Sequence, residues 1–373
     1  MNDARALRPS SWPRFAAACA VSWASATGAA PAPSLEEMRR EVTAASQASP
    51  AWGGPVSGPA AAPNKTVALL CEELRNGGIL GVARGVEEAA RVIGWAVKVF
   101  DAAGTAEGRD RAAADALAAR PDALVVIGAD ARDMQPRLQA FAARKIPIVG
   151  WHVGPRPGPV EGSPVAMNVT TDPLQVARIT AMAAVVGSGG RAGVVVFTDS
   201  TFEIATAKAR AMTEVVRGCA GCTLLEVRDT PISRAAELVP RVTRELLDRH
   251  GPRWTHALAI NDIYFDYAVP ELARAGRAED SLALLSAGDG SPAAFMRLKA
   301  RVFQVATVAE PLALHGWQLV DELNRLLAHA AVSGYVVPVH LSTLQNIAFD
   351  GGARHQYDPD NGYRDVYRRI WKR

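Results

Sequence analysis

Three apolar runs in this sequence stop at a polar side chain. "LAINDIYF" places Asn261 and Asp262 after such a run, "LLSAGDG" places Asp289 there, and "IPIVGW" is followed by His152. Carboxylates accept hydrogen bonds from hydroxyl groups, while amides and imidazoles can both donate and accept them. Each residue alone has an ordinary alternative, because Asp caps helices, Asn forms turns and His occurs in solvated loops. They form one site only if the fold brings these ends together.

Catalytic motifs do not accompany these residues. The chain has no GxSxG elbow, no HExxH pair and no phosphate loop ending in Gly-Lys-Ser/Thr. The glycines of "GGILGVARG", residues 77 to 85, lack the spacing for pyrophosphate and are expected to allow close approach of the backbone to a ligand or a helix. We therefore predict a binding protein that is not an enzyme and uses no cofactor.

The cysteines bear on metal and redox chemistry. Cys219 and Cys222 form "CAGC" in a predicted helix-to-strand turn, and Cys71 ends a predicted buried strand. The close pair can form a disulfide in an oxidising compartment, with two reduced thiols as the alternative. A redox enzyme is disfavoured because the pair does not open a helix after a strand. Zinc would need a second ligand pair, so we predict no metal site.

Strand-like and helix-like runs alternate from Lys65 onward. The strand-like runs are "TVALLC", "AVKVFD", "ALVVIG", "PIVGW", "GVVVF", "TLLEVRD", "HALAIND", "LALLSAGD" and "VFQVATV", and amphipathic helical runs separate them. This order predicts two similar α/β halves, each a parallel sheet flanked by helices. Ligands of such sheets bind beyond the carboxyl ends of the strands. Asn261, Asp289 and His152 are therefore predicted to face one cleft, and the aromatic residues Tyr264, Phe265 and Tyr267 are predicted to wall it or to pack beneath it.

The segments before and after the alternating runs differ from them. Residues 1–30 contain Arg5, Arg8 and Arg14 before a weakly apolar run that ends in small residues, which predicts an export signal cleaved after about Ala26 or Ala30. The alternatives are a disordered Ala-rich leader or a lipoprotein site at Cys19. Residues 31–64 predict a short helix and a Pro/Gly-rich connector. Residues 353–373 predict a tail helix that packs on the body or docks a partner.

The length and net charge of the chain further limit the classes of function that it can have. A chain of 373 residues suits two lobes, each large enough for its own core. With 41 basic and 38 acidic side chains, the formal charge of +3 gives no electrostatic case for nucleic acid or an anionic membrane surface. No run after the leader reaches the roughly 20 apolar residues that a membrane helix needs. We expect a monomer that binds neither nucleic acid nor lipid.

An ordered set of motifs gives a family resemblance over about residues 65 to 350. "RPDALVVIGAD", "KIPIVGW", "AINDIYF", "LLSAGDGSPAAF" and "ATVAEPLALHGWQLVDELNRLL" resemble, in this order, the periplasmic sugar-binding proteins of ABC importers, the ribose-binding-like type I group. The resemblance implies two lobes joined by a three-crossing hinge and closing on one small molecule. It also implies periplasmic localisation, after removal of the signal peptide, and an ABC transporter permease as partner.

The resemblance divides the chain into discontinuous lobes. The N-terminal lobe would comprise residues 65–168 plus about 311–340, and the C-terminal lobe residues 169–310 plus about 341–352. The three crossings would fall near residues 167–172, near 309–311 and near 341–345. A related DNA-binding repressor would instead need a helix-turn-helix ahead of this body, where residues 1–64 carry the leader and connector.

Positions carried over from the family give the ligand contacts. They would be Asn76, Trp151, His152, Asn261, Asp289 and Glu310, with Glu72 and Glu203 as further acceptors. Where many relatives have "NPFF" this chain has "NGGI", the usual Asp-Arg is replaced by His152 and Val153, and Thr206 stands where Arg is expected. These departures argue against pentose binding of the usual kind.

Acceptor groups dominate this predicted site, and few cations are expected to face them. An anionic ligand would add to the cost of burying carboxylates together, whereas the hydroxyl groups of a neutral ligand can satisfy them. We therefore predict capture of a small neutral sugar or polyol for an ABC-type importer. The alternatives are a cationic small molecule or a ligand-sensing role with a signalling receptor.

Overall fold

Two β-sheets organise the chain, as the alternation of strand-like and helix-like runs predicts. The structure is a computed structural model that describes residue 1 and residues 33–48, 50–351 and 354–373. The strands are β1 (Thr66–Cys71), β2 (Ala96–Asp101), β3 (Ala123–Ile127), β4 (Ile148–Trp151), β5 (Val165–Val169), β6 (Gly193–Thr198), β7 (Thr223–Asp229), β8 (His256–Ala259), β9 (Ala283–Ser286), β10 (Gln304–Val308) and β11 (Leu341–Thr343). The helices are α1 (Leu35–Ala45), α2 (Gly77–Ile93), α3 (Ala106–Ala118), α4 (Gln135–Ala142), α5 (Pro173–Gly187), α6 (Glu203–Gly218), α7 (Ala235–His250), α8 (Ile263–Arg274), α9 (Pro292–Ala300), α10 (Leu312–Leu327), α11 (Ile347–Asp350) and α12 (Tyr363–Trp371).

The first sheet forms the N-terminal lobe. Its five strands are parallel and lie in the order β2-β1-β3-β4-β5. β1 is almost continuously apolar because helices cover both faces of the sheet. One face packs against α2, α10 and α12, and the other against α3 and α4. The helix α2 begins where the Asn76 side chain accepts the Gly78 amide, and it ends at Gly94 in the left-handed conformation.

The second sheet forms the C-terminal lobe. Its order is β11-β10-β9-β8-β6-β7, with all neighbours parallel except the antiparallel pair β10 and β11. The core beneath it includes Phe197, Tyr264 and Phe265, all fully buried. The two aromatic residues that follow Asp262 thus pack under the strand ends rather than lining a cleft wall. The sequence pattern alone is compatible with either arrangement.

The chain passes between the lobes at three places that the topology defines. Residues 170–172 connect β5 to α5, residues 309–311 connect β10 to α10, and residues 328–340 connect α10 to β11. The third passage lies earlier in the chain than the crossing expected near residues 341–345, because Leu341 to Thr343 already pair with β10 in the C-terminal sheet. These passages place the hinge beside β5 and β4 in one sheet and beside β10 and β9 in the other.

The connector before β1 and the tail after α11 each contact both lobes as well. The helix α1 buries Met38 in the C-terminal core, while Trp52 and Ala62 pack against the N-terminal core. After α11, Tyr357 packs in a small cluster with α9, and α12 then buries Tyr367 in the N-terminal core. The connector and tail therefore add two further passages between the lobes.

Other sequence expectations can be placed on the structure. Cys219 and Cys222 are joined as a disulfide, and Cys71 is buried and free. Across the described parts of the chain, no helix combines the length and apolar character needed to cross a membrane. The predicted export signal, residues 1–30, lies outside the described residues apart from Met1.

Candidate functional site

A cavity of about 240 Å³ lies between the carboxyl ends of the two sheets. Its walls come from the loops and helices that follow β1, β2, β3 and β4 in the N-terminal lobe and β6, β7, β8 and β9 in the C-terminal lobe. Strand ends can present polar loop residues without interrupting the apolar core of the sheet. The cavity is therefore placed where the alternating sequence pattern predicts a cleft.

A buried polar cluster lines the cavity beside the hinge. Asn261 donates its side-chain amide to Asp289 Oδ2 at 2.7 Å, and its own carbonyl oxygen accepts the Ile263 amide at 2.9 Å. His152 Nδ1 lies 3.9 Å from Asp289 Oδ1, too far for a direct hydrogen bond. His152 has a φ of +53°, an uncommon conformation for a residue other than glycine. The backbone is thus bent to aim the imidazole at the cavity.

Glu310 and His315 lie behind His152 and hold it in place. His152 Nε2 donates to Glu310 Oε1 at 2.8 Å, and the His152 ring stacks on Trp151 with centroids 3.7 Å apart. Trp151 Nε1 donates to His315 Nδ1 at 3.1 Å, which places the His315 proton on Nε2. Burial lowers the pKa of His315 to about 4, in agreement with this neutral form.

Lys208 offsets the negative charge of the two carboxylates. It is 3% exposed, and its Nζ donates to the Ala287 carbonyl oxygen at 2.8 Å. Burial raises the pKa of Asp289 to about 6, against the lowering effect of His152 and Lys208. Burial acts in the same direction on Glu310, but His152 and Lys208 prevail and hold its pKa at about 2. At the hinge end of the cavity one ammonium group therefore faces two carboxylates, and His152 lies between those carboxylates.

The N-terminal lobe contributes an ion pair and a helix start. Arg109 donates from Nε and Nη2 to the two carboxylate oxygens of Glu72, at 2.8 and 2.6 Å. Burial raises the pKa of Glu72, and Arg109 opposes that rise. Asn76 accepts the Gly78 amide at 2.9 Å and so begins α2 at the cavity. Glu72 already has its partner, so it is a poor acceptor for a ligand hydroxyl.

Apolar side chains line the end of the cavity away from the hinge. Phe202 and Ile204 come from the start of α6, and Ile232 follows β7. Ile260 ends the β8 run and Ile79 lies on α2 in the opposite lobe. In the C-terminal lobe the lining therefore becomes more apolar with distance from the hinge, while Glu72, Arg109 and Ser233 are polar residues towards the far end.

The lobes touch each other around the cavity. Asp130, which follows β3, accepts the Glu203 backbone amide at 3.0 Å and so caps the start of α6 from the other lobe. A Cβ added to Gly78 would collide with the Asp289 carboxylate, and one added to Gly77 would lie 2.8 Å from Ser291 Cβ. The structure therefore represents a closed arrangement of the lobes, held by contacts that an opening motion would break.

Most of the residues predicted from sequence lie at this cavity. Six line it directly: Glu72, Asn76, Trp151, His152, Asn261 and Asp289. Glu310 is fully buried behind His152, one layer from the lining. Glu203 is exposed and borders a different surface depression. Its backbone amide contacts the other lobe, but its carboxylate is not brought to the cavity.

The expectation of few facing cations is corrected by two basic residues. Lys208 is close enough to Asp289 and Glu310 to favour their charged forms, and Arg109 neutralises Glu72. A sequence signal for Lys208 exists, because Ala205 and Met212 flank it at helical spacing on the buried face of α6. A lysine on an apolar helix face is almost never buried without a partner. Phe202, Ile204 and Ile232 gave no comparable signal, since Phe202 and Ile204 stand at the start of α6 and Ile232 in the segment after β7, where no period shows the direction of a side chain.

A group with the spacing of metal ligands also occurs here. Ligand atoms of His152, Asp289 and Glu310 lie within 4.8 Å of one another. His152 Nε2 is already committed to Glu310, and the Lys208 ammonium lies beside both carboxylates. A metal ion would have to displace this hydrogen bond and would be repelled by the ammonium. The arrangement suits hydrogen bonding to a ligand better than metal binding.

Comparison with known proteins identifies the family. Residues 67–331 match the periplasmic binding protein domain family, and this span exceeds half of the chain. The protein therefore belongs to the periplasmic binding protein family, whose members are solute-binding transport components and not enzymes. Membership in a periplasmic family makes it an exported protein. None of the curated proteins matches the sequence.

Solved structures share the fold at low sequence identity. A solute-binding protein from Mycobacterium smegmatis with bound glycerol gives a TM-score of 0.69 at 20% identity, over 79% of this chain and 99% of that one. A protein from Agrobacterium vitis with bound allitol gives 0.65 at 20% identity, over 76% and 97%. A 5-methylthioribose transporter protein from Thermotoga lettingae gives 0.67 at 18% identity, over 77% and 88%. These likenesses confirm the two-lobed fold.

Proposed function

We propose that this protein captures a small neutral sugar or polyol in the interlobe cavity and delivers it to an ABC-type importer. The observation that carries the proposal is the cluster of Asn261, Asp289 and His152, buried at the hinge end of the cavity. Asp289 can accept two hydroxyl groups, and Asn261 and His152 add mixed donors and acceptors. Such a set matches a chain of vicinal hydroxyl groups.

The presence of both charge signs in the site argues for a neutral ligand. Lys208 offsets one of the two buried carboxylates, Asp289 and Glu310, and His152 contacts Glu310. A cationic ligand would meet the Lys208 ammonium, and an anionic one would meet Asp289. The glycerol, allitol and 5-methylthioribose bound by the three similar structures are neutral and hydroxylated, which supports the same class here.

The proposed mechanism is capture by lobe closure. The bodies that move are residues 65–168 with about 311–340, and residues 169–310 with about 341–352. Asp130 and Gly78 contact the opposite lobe only in the closed arrangement, so ligand contacts and interlobe contacts form together. A closed monomer would then present one surface formed by both lobes to the permease.

Screening by thermal shift tests the ligand class. Neutral sugars and polyols, their phosphates, their acids and a set of amines are compared on the purified protein. A ligand at about one hundred times its dissociation constant adds roughly 2.7 kcal/mol of stability, which gives a clear shift. We expect the largest shifts from neutral hydroxylated compounds. A phosphate, an acid or an amine as the tightest ligand would contradict the proposal.

We further propose that the leader, residues 1–30, is a signal peptide removed on export. Its arginines precede a weakly apolar run that ends in small residues. Expression in a Gram-negative host followed by N-terminal sequencing of the periplasmic fraction should give a start near Thr27 or Pro31. Recovery of the protein with an intact Met1 in the cytoplasmic fraction would be the opposite result.

A further inference from the structure

The two ends of the cavity differ chemically because the order of the strands in each sheet decides which loops line each end. From the hinge outward, the C-terminal sheet runs β10, β9, β8, β6 and β7, and the N-terminal sheet runs β5, β4, β3, β1 and β2. Asp289 and His152 follow β9 and β4, next to the hinge. Phe202 and Ile232 follow β6 and β7, at the far side. A ligand that fills the cavity must therefore contact both environments.

Several hydrogen-bonding side chains at the far end of the cavity already have protein partners, and Ser233 is a further polar residue there. The Glu72 carboxylate is engaged by both arms of Arg109, and Glu73 is held in the same way by Arg75. The Thr201 hydroxyl donates to Asp199. A hydroxyl group placed against Phe202 or Ile232 would lose its bonds to water without replacement, which costs affinity. An apolar group placed there would gain affinity by leaving water.

We propose that the ligand is a sugar or polyol that carries an apolar substituent, such as an alkylthio or aryl group. The hydroxylated part binds Asn261, Asp289 and His152 beside the hinge. The substituent lies between Phe202, Ile204 and Ile232 of the C-terminal lobe and the flat face of the Glu72–Arg109 pair across the cleft. This inference rests on the proposed function and specifies which members of the neutral sugar class the cavity selects.

Matched pairs of compounds test the proposal by calorimetry. Each of a set of free sugars and polyols is compared with derivatives that bear a methyl, methylthio or phenyl group at either end of the carbon chain. Each buried methylene contributes about four-fold in affinity, so a methylthio or phenyl group should tighten binding by roughly ten-fold or more. The free substituents are titrated separately, as thioethers and arenes without hydroxyl groups.

Variants of the protein test where in the cavity the apolar substituent binds. Phe202→Ala combined with Ile232→Ala should reduce the advantage of the substituted compound at least five-fold and leave the parent sugar within two-fold of wild type. Val227→Ala is the matched control, because Val227 lies on β7 of the same lobe but is 42% exposed outside the cavity. An advantage unchanged by the double variant would overturn the placement of the substituent.

The outcomes separate this inference from the proposed function. If parent sugars bind as tightly as their substituted forms and Asp289→Ala weakens both, the proposed function stands and the inference is wrong. If free thioethers or arenes bind as tightly as the substituted sugars, the hydroxylated part is not recognised and both fail. If no compound of either set binds, the neutral sugar class itself is contradicted.

Discussion

Asp289 is the residue on which the site depends most. Its carboxylate is 3% exposed and faces His152 and Lys208, which favour its charge, and Glu310 and Asp262, which oppose it. Burial outweighs the favourable partners, so its pKa stands at about 6. Keeping the group ionised at neutral pH costs folding free energy. A site arranged for a ligand rather than for stability commonly has this property.

Asp289→Asn should therefore stabilise the ligand-free protein at pH 7.5. In the unfolded chain Asp289 has its ordinary pKa of 3.8, and in the folded chain about 6. Between these values the folded state binds the extra proton, so this group favours folding at low pH and its contribution is lost as pH rises through 6. The expected gain at pH 7.5 is on the order of 1 to 3 kcal/mol, and it should shrink towards pH 4.5. Thermal unfolding at both pH values measures it.

Glu203→Gln is the control for the pH experiment, because its carboxylate is exposed. It should change stability by no more than about 0.5 kcal/mol at either pH. Equal stability of Asp289→Asn and wild type at pH 7.5 would show that the carboxylate is not destabilising there.

The sequence was informative about residues that follow strands directly. Asn261, Asp289 and His152 could be predicted because the end of an apolar run fixes their position at the sheet edge. Glu203 lies on the first turn of α6, after a longer loop that follows β6. The apolar run of β6 therefore does not indicate the direction of the Glu203 side chain. Lys208 reaches the cavity from a helix, two positions after Thr206, which stands where the family resemblance leads us to expect Arg.

At the scale of elements, the start of α2 lies in close contact with the opposite lobe. Gly78 has no space for a side chain, since a Cβ there would collide with Asp289 of the other lobe. Gly78→Ala should therefore oppose closure and weaken ligand binding ten-fold or more, while each lobe keeps its fold. Calorimetry gives the affinity, and circular dichroism checks the fold.

Gly187→Ala provides the matched control for this substitution. Gly187 ends α5, and nothing lies within 4 Å of a Cβ placed on it. This variant should bind as wild type does and gain slightly in stability, because alanine is the better helix former. If Gly78→Ala bound the ligand as tightly as Gly187→Ala, the close contact would not be part of the bound state.

The order and type of the sheet elements followed from the sequence pattern, with corrections in the loops. The near-continuous apolar runs of β1 and β6 predict strands covered on both faces, and the structure has them there. β5 and β11 were not predicted. β11 has three residues, too few to show a period, and it pairs antiparallel to β10. With β11 in the sheet, the third crossing lies before the residues 341–345 that the family resemblance implied.

At the scale of the whole molecule, the connector and tail belong to the packed body. Trp371 is 1% exposed, stacks on Trp317 of α10 and donates its indole N–H to Asp321 at 2.8 Å. Trp371→Ala should destabilise the protein by about 3 to 5 kcal/mol, because it leaves a cavity and removes a bond from a buried carboxylate. Denaturant unfolding measures the loss.

Phe349→Ala is the aromatic control, since Phe349 is 84% exposed. Its effect should stay within about 0.5 kcal/mol. A loss of similar size in both variants would mean that the tail does not belong to the N-terminal core. The sequence predicted the tail helix from its periodicity, but the docking of the Pro/Gly-rich connector through Trp52 and Ala62 has no periodic signal.

Titration of the best neutral sugar or polyol from the screen into wild type and Asp289→Ala tests the central claim most directly. Loss of hydrogen bonds to a charged carboxylate should cost on the order of 1.5 to 3 kcal/mol, or roughly ten-fold to one hundred-fold in affinity. Glu203→Ala, which alters an exposed carboxylate in the same lobe, should bind as wild type does. Wild-type affinity in Asp289→Ala would contradict the assignment of the polar cluster beside the hinge as the ligand site.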